Sequence, residues 1–145
     1  MCGFVGAFHP GRMTVPPSVI ARMRDTLIHR GPDSADAWQS ATKDCIFGHR
    51  RLTIIDISSA ADQPMTNRDE TMSIVFNGEI YNHVEIREEL SRLGVHDWKT
   101  DHSDTEVLLN MYLAHGEEML ERLNGIFAFA LWDENSHRLM LARDR

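Results

Sequence analysis

The sequence contains few cysteines and no spacing that is typical of a metal site. Of its 145 residues only two are cysteines, Cys2 and Cys45. A disulfide-stabilised extracellular domain is therefore not predicted, and a reducing compartment such as the cytoplasm is expected. Neither a Cys-x-x-Cys nor a His-x-x-x-His spacing occurs, which argues against a zinc site. We expect no metal in this chain.

Long apolar runs and an excess of positive charge are also missing. The longest uninterrupted apolar run, Ile126 to Trp132, is too short to cross a bilayer. The first residues show no basic stretch of the kind that precedes a secretory signal. The formal net charge is −7, so neither nucleic acid nor an anionic membrane is an expected partner. A composition with 42% hydrophobic and 26% charged residues is typical of a globular domain.

The order of the predicted elements favours an α+β fold with largely antiparallel sheets and helices packed outside them. Alternating or β-branched runs predict strands. Apolar residues at helical spacing, and Asn82-x-x-Glu85 read as a capping box, predict helices. The predicted strands are 2–8, 37–40, 45–49, 52–57, 72–76, 126–133 and 138–143. The predicted helices are 17–28, 82–93 and 104–116, followed by a short helical piece over 117–123, and residues 58–67 read as a loop.

Cys2 is a candidate nucleophile because it follows the initiator Met1. Removal of Met1 would leave a thiol and a free α-amine on one residue. Their reference pKa values are about 8.5 and about 7.7–8.0, so the amine can accept the thiol proton at little cost. One residue would then supply both a nucleophile and its general base. The alternative is a buried structural cysteine at the start of a core strand, and position alone favours this alternative.

Asn77-Gly78 follows an apolar strand and precedes a predicted helix. The simpler interpretation is a tight turn, which this dipeptide commonly forms. The functional interpretation is an oxyanion hole, in which the Asn77 side-chain amide and the Gly78 backbone N–H would face a developing negative charge. Glycine would permit the close approach of the backbone.

Several charged residues could recognise a free amino acid. Arg50 and Arg51 at a strand edge would ordinarily be solvated, but they could also grip a substrate carboxylate. Asp104 could be a helix cap, or it could hold a substrate ammonium together with Glu79. His29 could be mistaken for a general base, although a surface or structural role fits it better.

Six short motifs, in order along the whole chain, resemble those of the class II glutamine amidotransferases, and specifically the asparagine synthetase subgroup of these N-terminal-nucleophile hydrolases. The motifs are Met1-Cys2-Gly3, His29-Arg30-Gly31-Pro32-Asp33, Gly48-His49-Arg50-Arg51-Leu52, Asn77-Gly78-Glu79-Ile80-Tyr81-Asn82, Ser103-Asp104-Thr105-Glu106 and Leu123-Asn124-Gly125-Ile126-Phe127-Ala128-Phe129-Ala130.

The resemblance implies a four-layer αββα sandwich and a complete set of site residues. It implies a Cys2 glutamyl thioester that releases ammonia from L-glutamine. Its remaining assignments are an oxyanion hole at Asn77 and Gly78, a carboxylate site at Arg51, and an ammonium site at Asp104 with Glu79 beside it. Arg50 is the alternative to Arg51, because the Gly48-to-Arg51 segment differs slightly from the family's commonest form.

The family domain extends beyond position 145, so residues 1–145 are expected to be an incomplete type-2 glutamine amidotransferase domain. The resemblance implies a covalently linked C-terminal synthetase domain that uses ATP and magnesium to amidate aspartate in the cytoplasm, in a possible homodimer. No cofactor is expected in the present domain. Three alternatives remain open: another ammonia acceptor, a catalytically silent glutamine-binding module, and a purely structural domain.

Overall fold

The computed structural model describes residues 2–11, 13–54 and 57–145 of the chain. Its strands are β1 (Gly3–Phe8), β2 (Ser34–Gln39), β3 (Cys45–Arg51), β4 (Met65–Thr66), β5 (Met72–Ile80), β6 (Gly125–Asp133) and β7 (Arg138–Arg143). Its α-helices are α1 (Pro17–Asp25), α2 (His83–Arg92) and α3 (Asp104–His115), and two 3-10 helices cover Ser59–Ala61 and Gly116–Arg122. The strands form two antiparallel sheets with the orders β1-β3-β2 and β4-β5-β6-β7.

The two sheets pack face to face and carry helices on their outer surfaces. Phe47 of β3 lies buried between the sheets with Val75 of β5 and Trp132 of β6. The outer face of the first sheet meets α1, where Ile20 is fully buried close to Gly48. The outer face of the second sheet meets α2 and α3. The predicted four-layer α+β sandwich is therefore confirmed.

The larger core lies between the second sheet and its helices. Residues of alternate parity on each strand supply it, because successive side chains on a strand point to opposite faces. Ile74 and Phe76 of β5 face Leu108 of α3 in this layer, and all three are almost completely buried. Each such side chain contributes roughly 1.5–3 kcal/mol of apolar burial. This packing fixes β5, the strand that carries Asn77 and Gly78.

Strand β5 is longer than predicted, and the interpretation of Asn77-Gly78 as a tight turn is wrong. The strand continues to Ile80, with Asn77 opposite Ala128 and Gly78 opposite Phe127. The Asn-Gly pair is a local signal for a turn, whereas the pairing with β6 is made by residues about 50 positions away. The non-local pairing decides the backbone conformation here.

The prediction of a capping box at Asn82 is also wrong. The helix begins as predicted, but the Asn82 side chain forms no cap hydrogen bond. Its amide donates to Arg122 O at 2.9 Å and accepts from Asn124 N at 3.0 Å. Asn82 therefore fastens the start of α2 to the chain that leads into β6.

Several other boundaries differ from the predictions, among them the start of β2 at Ser34 and the end of β3 at Arg51. Helix α1 ends at Asp25, and a series of turns replaces its last predicted residues. The predicted loop over residues 58–67 contains the first 3-10 helix and β4. The predicted strand over 52–57 is not formed at 52–54 and 57, and residues 55 and 56 lie outside the described residues. Among the described residues, none of the helices has the length and apolar character needed to cross a membrane.

Candidate functional site

A cavity of about 220 Å³ opens where β1 begins, β3 ends and β5 passes the start of α3. All six predicted site residues line it: Cys2, Arg51, Asn77, Gly78, Glu79 and Asp104. They come from distant parts of the chain, and the two sheets together with α3 bring them to one place. The sequence-based grouping of these residues is therefore reproduced in space.

Cys2 lies at the edge of the first sheet and is only partly buried. Its sulfur accepts a hydrogen bond from Leu52 N at 3.3 Å and lies 3.6 Å from Leu52 O. The Arg30 guanidinium donates to the Cys2 carbonyl at 2.9 Å. The cysteine that is buried in the core is Cys45, where burial raises the pKa of the thiol to about 12. Of the two thiols, only Cys2 is accessible from the cavity.

The backbone of β5 shows an alternation that decides which amide faces the cavity. Phe76 N donates to the Gln63 side chain at 2.6 Å, and Ile80 N donates to Asp104 Oδ2 at 3.2 Å. These two amides therefore point away from β6. Because backbone groups of alternate residues on a strand point to the same edge, Gly78 N–H points to that edge too. It is the donor between Phe76 and Ile80, and within the described residues no protein acceptor is found for it.

The close approach of β6 requires a glycine at position 78, and the neighbouring Asn77 side chain has an unpaired oxygen. A Cβ at position 78 would lie 2.6 Å from Phe127 Cα, so any side chain there would force β5 away from β6. The Asn77 side chain points to the other face of the sheet. Its Oδ1 is buried and has no hydrogen-bond partner within the described residues. Asn77 nevertheless lines the cavity together with Gly78.

The two arginines are buried, which excludes the alternative of a solvated charge pair at a strand edge. Both belong to β3, the central strand of its sheet. Arg51 Nη1 donates to Asp62 Oδ1 at 2.6 Å and to Ser58 O at 2.8 Å. Arg50 points to the opposite face, where its Nε donates to Gly31 O at 2.9 Å. Only Arg51 lines the cavity, which agrees with the choice of Arg51 over Arg50.

The anionic side of the cavity consists of Asp104 and Glu79. Ser103 is the cap of α3, and its side chain accepts from Glu106 N at 3.4 Å. The alternative that Asp104 is the cap is therefore wrong. Asp104 is the first helical residue and is buried. Burial raises the pKa of its carboxyl, while the hydrogen bond from Ile80 N acts in the opposite direction. Glu79 is exposed at the cavity mouth.

His29 lies outside the cavity, as expected. It is exposed, and its Nδ1 lies 3.1 Å from Thr26 O. The neighbouring residues of the same motif have a structural task, because Asp33 Oδ2 accepts from Thr53 N at 2.8 Å. Together with the Arg30 contact described above, they hold the segments that carry Cys2 and Leu52.

Sequence reasoning missed Gln63 and His49. Gln63 lines the cavity and is buried. His49 is buried between the sheets, with Nε2 3.1 Å from Phe76 O. Gln63 is in a predicted loop and His49 is one residue of a longer motif, so neither carries a local signal for its contact with β5. Among the described residues, no group of three or more His, Cys, Asp or Glu side chains is placed to hold a metal ion.

The arrangement of layers is that of a known solved structure. A glutamine phosphoribosylpyrophosphate amidotransferase from B. subtilis, solved in complex with ADP and GMP, superposes with a TM-score of 0.77. The superposition covers 99% of this chain and 37% of that one, at 19% sequence identity. At this identity the likeness establishes the fold alone. The protein thus has the α+β sandwich fold of that structure.

The chain belongs to the glutamine amidotransferase domain family, whose model matches residues 1–145. It is 47% identical to asparagine synthetase [glutamine-hydrolyzing] 1 of Bacillus subtilis (strain 168), over 99% of this chain and 22% of that protein. It is 37% identical to asparagine synthetase [glutamine-hydrolyzing] 1 of Lotus japonicus, over 99% of this chain and 24% of that protein. The chain thus spans less than a quarter of these curated relatives.

Proposed function

We propose that this domain hydrolyses L-glutamine to L-glutamate and ammonia, with Cys2 as the nucleophile. The observation that carries the proposal is the cavity itself. An accessible thiol, an unpaired backbone donor, an arginine and two carboxylates line one pocket. These are the groups needed to attack an amide, stabilise its oxyanion and recognise an α-amino acid.

In the first step the Cys2 thiolate attacks the side-chain carbonyl carbon of glutamine. The Leu52 N–H, 3.3 Å from the sulfur, stabilises negative charge there before the attack. The carbonyl oxygen becomes an oxyanion, which accepts hydrogen bonds from Gly78 N and the Asn77 amide. Loss of one such donor typically lowers the rate by about 10²–10³.

The α-amine of Cys2 carries the proton in this mechanism. After removal of Met1, which lies outside the described residues, the amine takes the thiol proton and gives it to the departing ammonia. The C–N bond breaks and a glutamyl thioester remains on Cys2. Water then attacks the thioester with the same amine as general base, releasing glutamate and restoring the thiol.

Opposite charges on two sides of the cavity recognise the substrate. Arg51 binds the α-carboxylate of glutamine, and Asp104 with Glu79 binds its α-ammonium. Asp62 holds Arg51 through Nη1 and so fixes the direction of the guanidinium. Because a bidentate arginine contact depends on geometry as well as charge, this orientation contributes to the preference for an amino acid.

We further propose that the domain serves a longer asparagine synthetase. Its ammonia would pass to a linked, cytoplasmic synthetase domain that uses ATP and magnesium to amidate aspartate. The names of the two relatives above support this reading, and so does the match along almost the whole chain. A different carboxylate acceptor is the alternative within the same class of reaction.

The test compares wild type with Cys2→Ala, using Cys45→Ala as the matched cysteine control. We expect glutamine hydrolysis to fall at least about 10³-fold in Cys2→Ala and to persist in Cys45→Ala. A diazoketone analogue of glutamine should label wild type at Cys2 and leave Cys2→Ala unlabelled. Undiminished hydrolysis in Cys2→Ala would refute the proposal.

Two further measurements separate its parts. Intact-mass analysis should show active protein without Met1, and retention of Met1 in active protein would contradict the role of the amine. In the full-length synthetase, Cys2→Ala should abolish synthesis from glutamine but spare synthesis from added ammonia. Equal loss with both nitrogen sources would contradict the division of labour between two sites.

A further inference from the structure

We propose that His49 and Gln63 are positioning residues, which clamp the Phe76 backbone and thereby aim the Asn77 and Gly78 donors at the cavity. This inference rests on the proposed glutaminase function. The two side chains bind the same residue from two directions: Gln63 Oε1 accepts from Phe76 N at 2.6 Å, and His49 Nε2 lies 3.1 Å from Phe76 O. Phe76 directly precedes the proposed oxyanion hole.

The clamp occupies a place where a strand partner is missing. Strand β4 pairs with β5 only at Ser73 and Ile74. Beyond that point the β5 edge has no neighbouring strand among the described residues, so the backbone groups of Phe76 need other partners. Side chains supply them. The same solution recurs at Ile80, where Asp104 accepts from N and His83 Nδ1 lies 2.8 Å from O.

Gly78 N–H lies midway between these two clamped residues. The groups on both sides are satisfied by protein, and the donor in the middle is left for a ligand. Holding the flanking peptides limits the rotation of the Asn77–Gly78 segment, because a backbone peptide moves as a rigid plane. A preorganised donor stabilises an oxyanion without reorganisation during the reaction.

The state of His49 supports a functional reading. A carbonyl can only accept, so Nε2 carries the hydrogen in the contact with Phe76 O. Burial lowers the pKa of this imidazole to about 4, and the nearby Arg51 charge acts in the same direction. The neutral ring therefore has a bare Nδ1, which is buried without a partner within the described residues. With Nδ1 unpaired, the contact with Phe76 O is the only hydrogen bond that the ring makes within the described residues.

Gln63 connects the clamp to the substrate side of the cavity. Besides Phe76, it binds Thr105 through Nε2, which lies 3.1 Å from Thr105 Oγ1. Thr105 follows Asp104, the proposed ammonium-binding residue. The buried Gln63 amide thus links β5, which carries the proposed oxyanion donors, to α3, which carries the proposed ammonium-binding residue.

The test uses His49→Leu and Gln63→Met, which each remove one half of the clamp at nearly constant volume. We expect kcat for glutamine hydrolysis to fall about 10- to 100-fold, with KM changed less than about threefold. Misplaced donors weaken transition-state binding more than substrate binding. His49→Gln restores an N–H donor and should recover most of kcat. The matched control is Ser73→Ala, because Ser73 is a buried polar residue on β5 whose Oγ has no partner within the described residues.

An aldehyde analogue of glutamine adds a readout that a structural defect would not move selectively. Its adduct with Cys2 places an oxyanion in the same position, so its inhibition constant should rise in proportion to the loss of kcat, while binding of L-glutamate stays constant. A fall in kcat no larger than that of Ser73→Ala, or unchanged aldehyde inhibition, would overturn the inference. Should His49→Leu fail to fold, Gln63→Met decides the outcome. Wild type without glutaminase activity would instead refute the proposed function.

Discussion

Acidification from pH 7 to pH 5 is expected to destabilise the fold through His49. The imidazole is buried between the two sheets, and burial lowers its pKa from 6.5 to about 4. The Arg51 charge adds to this effect, whereas the hydrogen bond to Phe76 and the Asp62 carboxylate oppose it. The folded protein therefore keeps a neutral ring at a pH where the unfolded chain binds a proton.

The sign and size of the effect follow from proton linkage. Above pH 6.5 the ring is neutral in both states and contributes no pH dependence. Between pH 6.5 and pH 4 only the unfolded state is protonated, so the free energy of unfolding falls by about 1.36 kcal/mol for each pH unit. At pH 5 the loss from His49 reaches about 2 kcal/mol, a sizeable part of the 5–15 kcal/mol typical of a domain.

Urea unfolding at pH 7 and pH 5 measures this loss directly. The comparison uses wild type, His49→Gln and His29→Gln, the last as an exposed-histidine control. Other titrating groups act equally in all three proteins, so wild type and His29→Gln should lose about 2 kcal/mol more than His49→Gln. An equal loss in wild type and His49→Gln would show that the buried ring is not the source, and the reasoning from burial would fail.

Two further predictions concern α3. Asp104→Asn should raise KM for glutamine about tenfold or more in steady-state assays, because the charge that binds the substrate ammonium is lost. The fold should stay intact, because the amide oxygen can still accept from Ile80 N. An unchanged KM would contradict the proposed role. Glu106→Gln should lower the free energy of unfolding in urea by about 1–3 kcal/mol. The buried Glu106 carboxylate accepts from Lys99 N at 2.7 Å, Thr100 N at 2.8 Å and Thr100 Oγ1 at 2.5 Å, and an amide cannot accept all three hydrogen bonds. A change below about 0.5 kcal/mol would contradict this prediction.

Local patterns predicted the elements well where the pattern and the packing agree. Apolar spacing located α3, and an apolar run rich in aromatic residues located β6, because these patterns mark the faces that become buried. The β5 boundary was missed because Asn77-Gly78 carries a turn signal that pairing with β6 overrides. The capping box predicted at Asn82 is wrong for the same reason, since the partners of this side chain lie about 40 residues away.

The candidate site shows the same division. Cys2, Arg51, Asn77 and Asp104 could be predicted because short motifs combine their chemistry with recognisable neighbours. The burial of Arg51 could not, because its Asp62 partner is on a loop whose position depends on the whole fold. His49 and Gln63 are further examples, since their contacts with Phe76 exist only once the sheets have packed.

The position of the proposed oxyanion donor follows from the short length of β4. This strand has two residues and pairs with β5 only as far as Ile74. Had β4 continued alongside β5, the N–H groups of Phe76, Gly78 and Ile80 would all be bound in the ladder, and Gly78 would have no donor to offer. Exposed strand edges also invite unwanted pairing. The side chains that bind the backbone groups of Phe76 and Ile80 cover this edge except at Gly78. The arrangement that protects the sheet therefore also leaves a donor open at the cavity.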